Sequence, residues 1–133
     1  MDFNTLIPEL AVSDLAASLD FYRDILGFAV VYAREPEGFA FLQLGSAQVM
    51  LDEIGLGRTW RTAALVRPLG RGMNLQITVP DLEDLLERLT RAGIALFLPP
   101  ETRHYEVDGN TLAQRQFCVQ DPDGYLLRFV QIG

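Results

Sequence analysis

The chain contains no lysine: all eleven of its basic residues are arginines. That absence removes lysine Schiff-base chemistry, one of the common routes to covalent catalysis. There is one cysteine, Cys118, so neither an internal disulfide nor a thiolate cluster can form. Its neighbours Phe117 and Val119 are apolar, which favours a buried, inert thiol over a nucleophile. Histidine is equally scarce. With His104 alone, no two-histidine, one-carboxylate metal triad can be assembled within a chain, and no motif supports a serine–histidine–acid triad. Beside Tyr105 in a polar stretch, His104 reads as a surface residue. No apolar run approaches the ~20 residues of a membrane span. The N-terminus shows no basic-then-apolar leader, so a cytoplasmic location is the expectation. Positive charge is also short, with eighteen acids against eleven arginines and a net charge of −7. Nucleic acid is therefore an unfavourable partner, because phosphate binding needs a cationic face. Acidity of this size keeps a protein soluble and can also draw in cationic small molecules.

What is present is a pattern that occurs twice. The first copy opens with an extended stretch from Leu6 to Val12, then Ser13-Asp14 as a helix N-cap signal. Leu15, Leu19, Tyr22 and Leu26 follow at helical spacing, and Gly27 stands where a left-handed terminator is wanted. Three short apolar stretches, Phe28–Ala33, Gly38–Leu44 and Ala47–Asp52, are separated by turn residues and read as strands. The second copy repeats this order. Asn74–Val79 is extended, Pro80-Asp81 opens a helix with the stripe Leu82, Leu85, Leu86 and Leu89, and Gly93 closes it. Strands are expected at Ile94–Leu98, Gln114–Val119 and Tyr125–Gln131, with Asp121-Pro122-Asp123-Gly124 as a tight turn rather than a cation loop. Asp81 follows Asp14 by 67 positions and Gly93 follows Gly27 by 66, so one helix residue separates the copies.

These boundaries predict one domain, residues 1–133, of two repeated modules at about 4–54 and 73–132. The joining segment, 55–72, is rich in Gly and Arg and carries Trp60; a second irregular piece is expected from Pro99 to Asn110. Long irregular connections inside a compact domain are spacers or functional loops. Strand alternation puts Ile7, Glu9 and Ala11 on one face of the first strand, and Asn74, Gln76 and Thr78 on one face of the fifth. These polar faces either line a cleft or meet plain solvent.

Val12-Ser13-Asp14-Leu15 against Val79-Pro80-Asp81-Leu82, Leu26-Gly27-Phe28, and the closing Asp121-Pro122-Asp123-Gly124-Tyr125-Leu126-Leu127-Arg128-Phe129 resemble the vicinal-oxygen-chelate superfamily. That superfamily includes glyoxalase I, extradiol dioxygenases, fosfomycin-resistance enzymes and bleomycin-resistance proteins. The resemblance covers nearly the whole chain and implies an α+β fold of two βαβββ modules, each curling its mixed sheet into half of a cup. It also implies four metal-ligand positions, which fall on Ile7, Met50, Asn74 and Arg128. Isoleucine cannot ligate, a thioether is too soft for Mg, Mn or Fe(II), and an arginine cation repels a metal. No metal or other cofactor and no catalytic residue is therefore expected.

The stretches Arg115–Gly124 and Phe39-Ala40-Phe41-Leu42 resemble the bleomycin-resistance members, and Pro8 resembles the proline at their arm-exchange hinge. Those members sequester a cationic glycopeptide in grooves between two subunits. The resemblance thus implies a metal-free homodimer binding a bleomycin-type antibiotic or similar toxic compound, without turnover. Candidate ligand contacts are Phe39, Phe41, Trp60 and Tyr105 for stacking, Glu9 and Asp52 for cationic groups, and Arg128 at the former metal position. Phe39 and Phe41 could instead form a core pair, Trp60 could anchor the loop or a dimer contact, and Arg128 could pair with a carboxylate such as Glu9. The other readings are a metal-dependent lyase, isomerase or dioxygenase using unrecognised ligands, and a carrier or sensor of another metabolite.

Overall fold

The computed structural model describes residues 2–132, which divide into two compact units between Arg67 and Pro68. The division falls within the 55–72 segment. Each unit is a four-stranded mixed sheet with one helical crossover, and the two sheets share one strand order.

In the first unit β1 is Glu9–Val12, followed by α1 at Leu15–Leu19, a π-helical continuation at Asp20–Ile25, then β2 (Ala29–Arg34), β3 (Phe39–Leu44) and β4 (Ala47–Glu53). The sheet order is β1-β4-β3-β2, with β1 parallel to β4 and the other pairs antiparallel. The strand expected from Leu6 begins only at Glu9, so Ile7 lies ahead of the ladder. Pro8 has no N–H to give, although its carbonyl accepts from Met50 N at 2.9 Å.

Asp14 caps α1, its carboxylate accepting from Ala16 N at 3.0 Å and Ala17 N at 3.4 Å. A second lock comes from the sheet, where Glu53 Oε1 at the end of β4 accepts from Leu15 N at 2.7 Å. This side chain marks the helix face of the sheet, which also carries Leu10, Val12, Ala40, Leu42, Val49 and Leu51, all buried. Phe21, Tyr22, Leu26 and Phe28 complete that core, Tyr22 meeting Phe21 and Phe28 edge-on at 5.3 and 5.5 Å. The π segment, with Leu26 N bonded five residues back to Phe21 O at 3.0 Å, holds one residue more than an α-helix would in the same span. It accommodates the one-residue offset between the copies.

The second unit contains β5 (Asn74–Thr78), α2 (Leu82–Arg91), β6 (Leu98–Val107), β7 (Asn110–Gln120) and β8 (Leu126–Ile132), in sheet order β5-β8-β7-β6. Asp81 caps α2, and Gln131 Oε1 accepts from Leu82 N at 2.8 Å, the counterpart of the Glu53 lock. Ile77, Leu127, Phe129, Phe117 and Val119 form the helix-side core with Leu82, Leu85 and Leu89.

Two strand expectations need correction here. Ile94–Phe97 is not a strand, and the stretch expected to be irregular, Pro99 to Asn110, is mostly the long strand β6. It pairs with β7 through a two-residue turn at Asp108-Gly109, both with positive φ (50° and 80°). That geometry matches the right-handed twist of the flanking strands and is what Asp-Gly favours. The Asp121–Gly124 turn is as expected, with Gly124 N donating to Asp121 O at 3.0 Å. No helix among the described residues is long and apolar enough to cross a membrane.

Candidate functional site

Strand register assembles the polar face of the first sheet in rows. Glu9, Met50, Phe41 and Tyr32 stand side by side across the four strands, and Ala11, Asp52, Phe39 and Arg34 form the next row. Phe39 and Phe41 therefore point away from the helix, on the side that bears Glu9 and Asp52. Both rings are nonetheless buried. Tyr32 stacks on Phe41 at 5.3 Å, Phe3 meets the same ring edge-on at 5.4 Å, and the Arg34 guanidinium lies 4.1 Å above the centre of Phe39. Phe39 is the floor of an open cleft of about 180 Å³, and Phe41 lies beneath the surface as support.

The cleft is lined by Glu9, Arg34, Glu37, Phe39, Asp52, Gly57, Arg58 and Trp60. The 55–72 segment supplies its far wall. A Cβ on Gly57 would stand 2.8 Å from the Glu37 carbonyl oxygen and 3.3 Å from Asp52 Oδ1, so glycine lets the backbone come against the carboxylate. Trp60 is 68% exposed, and Arg58 stacks on its ring at 3.8 Å. Arg34 is ion-paired with Glu37. Burial pushes the Glu9 carboxyl above its ordinary range; Asp52 adds to the rise and Arg34 opposes it. Burial raises Asp52 as well, partly offset by Arg34 and reinforced by Glu37. Two carboxylates held this way are poor company for each other and good partners for a cation.

Tyr105 and Arg128, the other expected contacts, belong to the second unit. There the register gives the row Gln76, Arg128, Cys118 and Leu98. Gln116 Nε2 donates to Glu101 Oε2 at 2.8 Å and to the Tyr105 hydroxyl at 2.9 Å, and Gln114 donates to Gln116 Oε1 at 3.0 Å. Tyr105 thus has a hydrogen-bonding role that its sequence context did not suggest. The Arg128 Nε is buried without a hydrogen-bond partner. Cys118 is buried and its thiol is pushed up by desolvation, against the opposing charge of Arg128, so it is a poor nucleophile. His104 is exposed on β6.

The four residues that the resemblance sets at metal-ligand positions are not a ligand set by chemistry. Ile7 precedes β1, Met50 sits in the Glu9 row, Asn74 starts β5 and is exposed, and Arg128 occupies the equivalent of Met50. Among the described residues no group of three or more His, Cys, Asp or Glu is placed to hold a metal ion. The donor chemistry does not fit a divalent metal.

Of the contacts expected from sequence, Glu9, Phe39, Asp52 and Trp60 line this cleft, together with Arg34, Glu37, Gly57 and Arg58, which sequence reasoning had not singled out. Strand alternation after Phe39 and Asp52 could have pointed to Arg34, one strand further across. Nothing periodic marks the loop residues.

The family model for the Glyoxalase/Bleomycin resistance protein/Dioxygenase superfamily matches residues 6–129. The chain belongs to that superfamily. It is 30% identical over 133 residues to bleomycin resistance proteins of Geobacillus stearothermophilus and Staphylococcus aureus, covering 94% of each chain. Among solved structures it is similar to one from the mobile metagenome of V. Pseudocholerae, at 26% identity and TM-score 0.71 over 98% of this chain and 96% of that one. The fold is also shared with TioX from Micromonospora sp. ML1, at 23% identity and TM-score 0.73, with coverage of 97% and 98%. The superfamily fold of two βαβββ-like modules, each with a four-stranded mixed sheet, is therefore the fold of this chain.

Proposed function

We propose that this superfamily member is a small-molecule capture protein that works without a metal, holding a cationic, partly aromatic guest of the bleomycin type by binding rather than by turnover. The observation that carries the reading is the juxtaposition of Glu9 and Asp52 with Phe39 and Trp60 in one open cleft. Carboxylates there would take the cationic part of a guest, and Trp60, two-thirds exposed, offers a stacking surface for a planar ring. The kinship with bleomycin resistance proteins supports the same class of ligand. Met50 and Arg128 at the family's metal positions support capture over metal-dependent chemistry. In this reading two copies form the working unit in the cytoplasm, and Tyr105 and Arg128 of the second unit are further ligand contacts.

The test is calorimetric titration of the purified protein with metal-free bleomycin, alongside metal analysis after dialysis and sedimentation to determine the number of chains. Saturable heat at micromolar drug in a metal-free dimer is the expected result. Stoichiometric Zn, Fe or Mn surviving dialysis refutes the metal-free reading, and absence of heat refutes the drug reading.

A further inference from the structure

Beyond the cleft, the polar face of the first sheet is crossed by the residues that precede β1. Asp2 to Leu6 are exposed and lie outside the strand ladder, which begins at Glu9. Near the start of β4, alternation puts Gln48 on the face that bears Met50 and Asp52. Its carboxamide holds the backbone on both sides of Phe3: Nε2 donates to the Asp2 carbonyl oxygen at 2.7 Å, and Oε1 accepts from Asn4 N at 2.7 Å. Asn4 Nδ2 donates to the Ser46 carbonyl oxygen at 2.8 Å. Phe3 is thereby set edge-on against Phe41, the ring centres 5.4 Å apart.

We infer that residues 2–4 are a releasable strap whose Phe3 occupies the place of a guest's planar aromatic ring, so that such a ring seats on Phe41 and Tyr32 only when Gln48 lets the strap go. The inference rests on the capture reading and adds to it a competitor carried by the chain itself.

Three observations lead there. The first is continuity. Phe3 meets Phe41, Tyr32 stacks on Phe41 at 5.3 Å, and Tyr32 lies 5.7 Å from Phe39, the floor of the cleft. The strap's ring is thus the last member of an aromatic strip that starts in the cleft, and planar rings pair with such a strip edge-on or by offset stacking. The second is unequal burial. Phe41 is 1% exposed with the strap in place, whereas Phe3 is 56% exposed. Phe3 covers its neighbour while gaining far less from burial than a core ring does.

The third observation is that release strands no buried polar group. Gln48 Nε2 also donates to Gln43 Oε1 at 3.0 Å, and Gln43 Nε2 donates to the Gly45 carbonyl oxygen at 2.9 Å, so both side chains keep a partner when the strap leaves. The Asp2 carbonyl and the Asn4 amide pass from Gln48 to water. A segment held by a few exposed hydrogen bonds and one ring contact belongs to the part of a protein that opens locally, without global unfolding. The apparent affinity for a ring-bearing guest is then the intrinsic affinity reduced by the fraction of time that the strap is open.

The probe is N-methylquinolinium, a planar aromatic cation, with tetramethylammonium as a cation that has no ring. Binding is measured by calorimetry and strap opening by hydrogen exchange of the Asn4 amide, followed by NMR. At saturating N-methylquinolinium that exchange should accelerate about tenfold or more, and tetramethylammonium should leave it unchanged. Phe3→Ala and Gln48→Met should each bind N-methylquinolinium at least about threefold more tightly than the parent, because the strap no longer competes. Unchanged far-UV circular dichroism verifies folding, and Phe3→Ala, at an exposed position, carries the test if Gln48→Met does not fold. Unaltered Asn4 exchange at saturation, an equal acceleration by tetramethylammonium, or equal or weaker binding by Phe3→Ala overturns the inference. Metal-free bleomycin, titrated into the same proteins, separates the two proposals. If bleomycin binds the parent and Phe3→Ala equally and leaves Asn4 protected, the capture reading stands and the strap falls. If N-methylquinolinium binds and frees the strap while bleomycin gives no heat, the strap stands and the drug reading falls. If neither compound binds any of these proteins, both fall.

Discussion

Replacing Phe39 by alanine should remove the floor of the cleft and destabilise the first unit by about 3–4 kcal/mol. Phe39 is 4% exposed, so nearly the whole ring is withdrawn from water, a transfer worth about 1.5–3 kcal/mol. Its neighbours cannot collapse into the gap: Asp52 and Arg34 flank it in fixed ladder register, and Tyr32 is already stacked on Phe41. A rigid cavity takes Phe-to-Ala costs to about 3–5 kcal/mol. The Arg34 stacking is exposed and adds only about 0.5–1 kcal/mol, and adjustment of the open rim lowers the total to the figure given. Phe39→Leu keeps most of the volume and should cost less than about 1.5 kcal/mol. Urea unfolding followed by Trp60 emission measures both, with the slope unchanged if the denatured state is unaffected. A cost below about 1 kcal/mol for the alanine variant would refute the reasoning, because it would mean that the ring is not packed as a floor.

Glu9 and Asp52 both have carboxyls raised in the folded state, so the stability they lend is complete below their unfolded values and is lost as pH rises through the folded ones. With Arg34 and Glu37 facing the same pair, Asp52→Asn should make the ligand-free protein more stable at neutral pH and flatten its pH profile in the mildly acidic range, as thermal unfolding between pH 4 and pH 7 would reveal. Removing either sheet-to-helix lock, by Glu53→Ala or Gln131→Ala, should cost about 0.5–2 kcal/mol, detectable in urea midpoints. Gly124→Ala should be more damaging, by about 2–4 kcal/mol, because φ is +97° and the new Cβ would meet Pro68 Cβ at 2.5 Å and its Cα at 2.7 Å. Circular dichroism melts would detect the loss.

Much of the fold was legible because its signals are local. Asp14 and Asp81 announce their helices through cap chemistry, and the alternation around Leu10, Leu42 and Leu127 fixes which side of each strand meets the helix. Where sequence reading failed, polar composition hid regular structure. The stretch Leu98–Val107 carries Pro99, Pro100 and charged residues, yet its place at the sheet edge lets it pair on one side only, where prolines and charges are tolerated. The Asp108-Gly109 dipeptide was the available hairpin signal and outweighed that composition. The candidate site was half legible. Glu9 and Asp52 follow from strand alternation, whereas Gly57 and Arg58 reach the cleft through the path of a loop, which no periodicity encodes. Tyr105 and Phe41 show the opposite difficulty, since residue type alone does not distinguish a ring offered to a guest from one engaged by Gln116 or covered by Tyr32.

A residue gained inside a regular α-helix turns everything beyond it by about 100°. In the first unit such a turn would carry Tyr22 and Leu26 off the sheet, yet both are 1% exposed. Widening the coil at Asp20–Ile25 absorbs the extra residue and delivers the chain to β2 in working phase. The two halves therefore share one strand order and are mismatched as helices. A chimera that grafts one half's crossover into the other must carry its whole span from cap to terminating glycine, whereas an exchange made in mid-helix would put an apolar stripe into water.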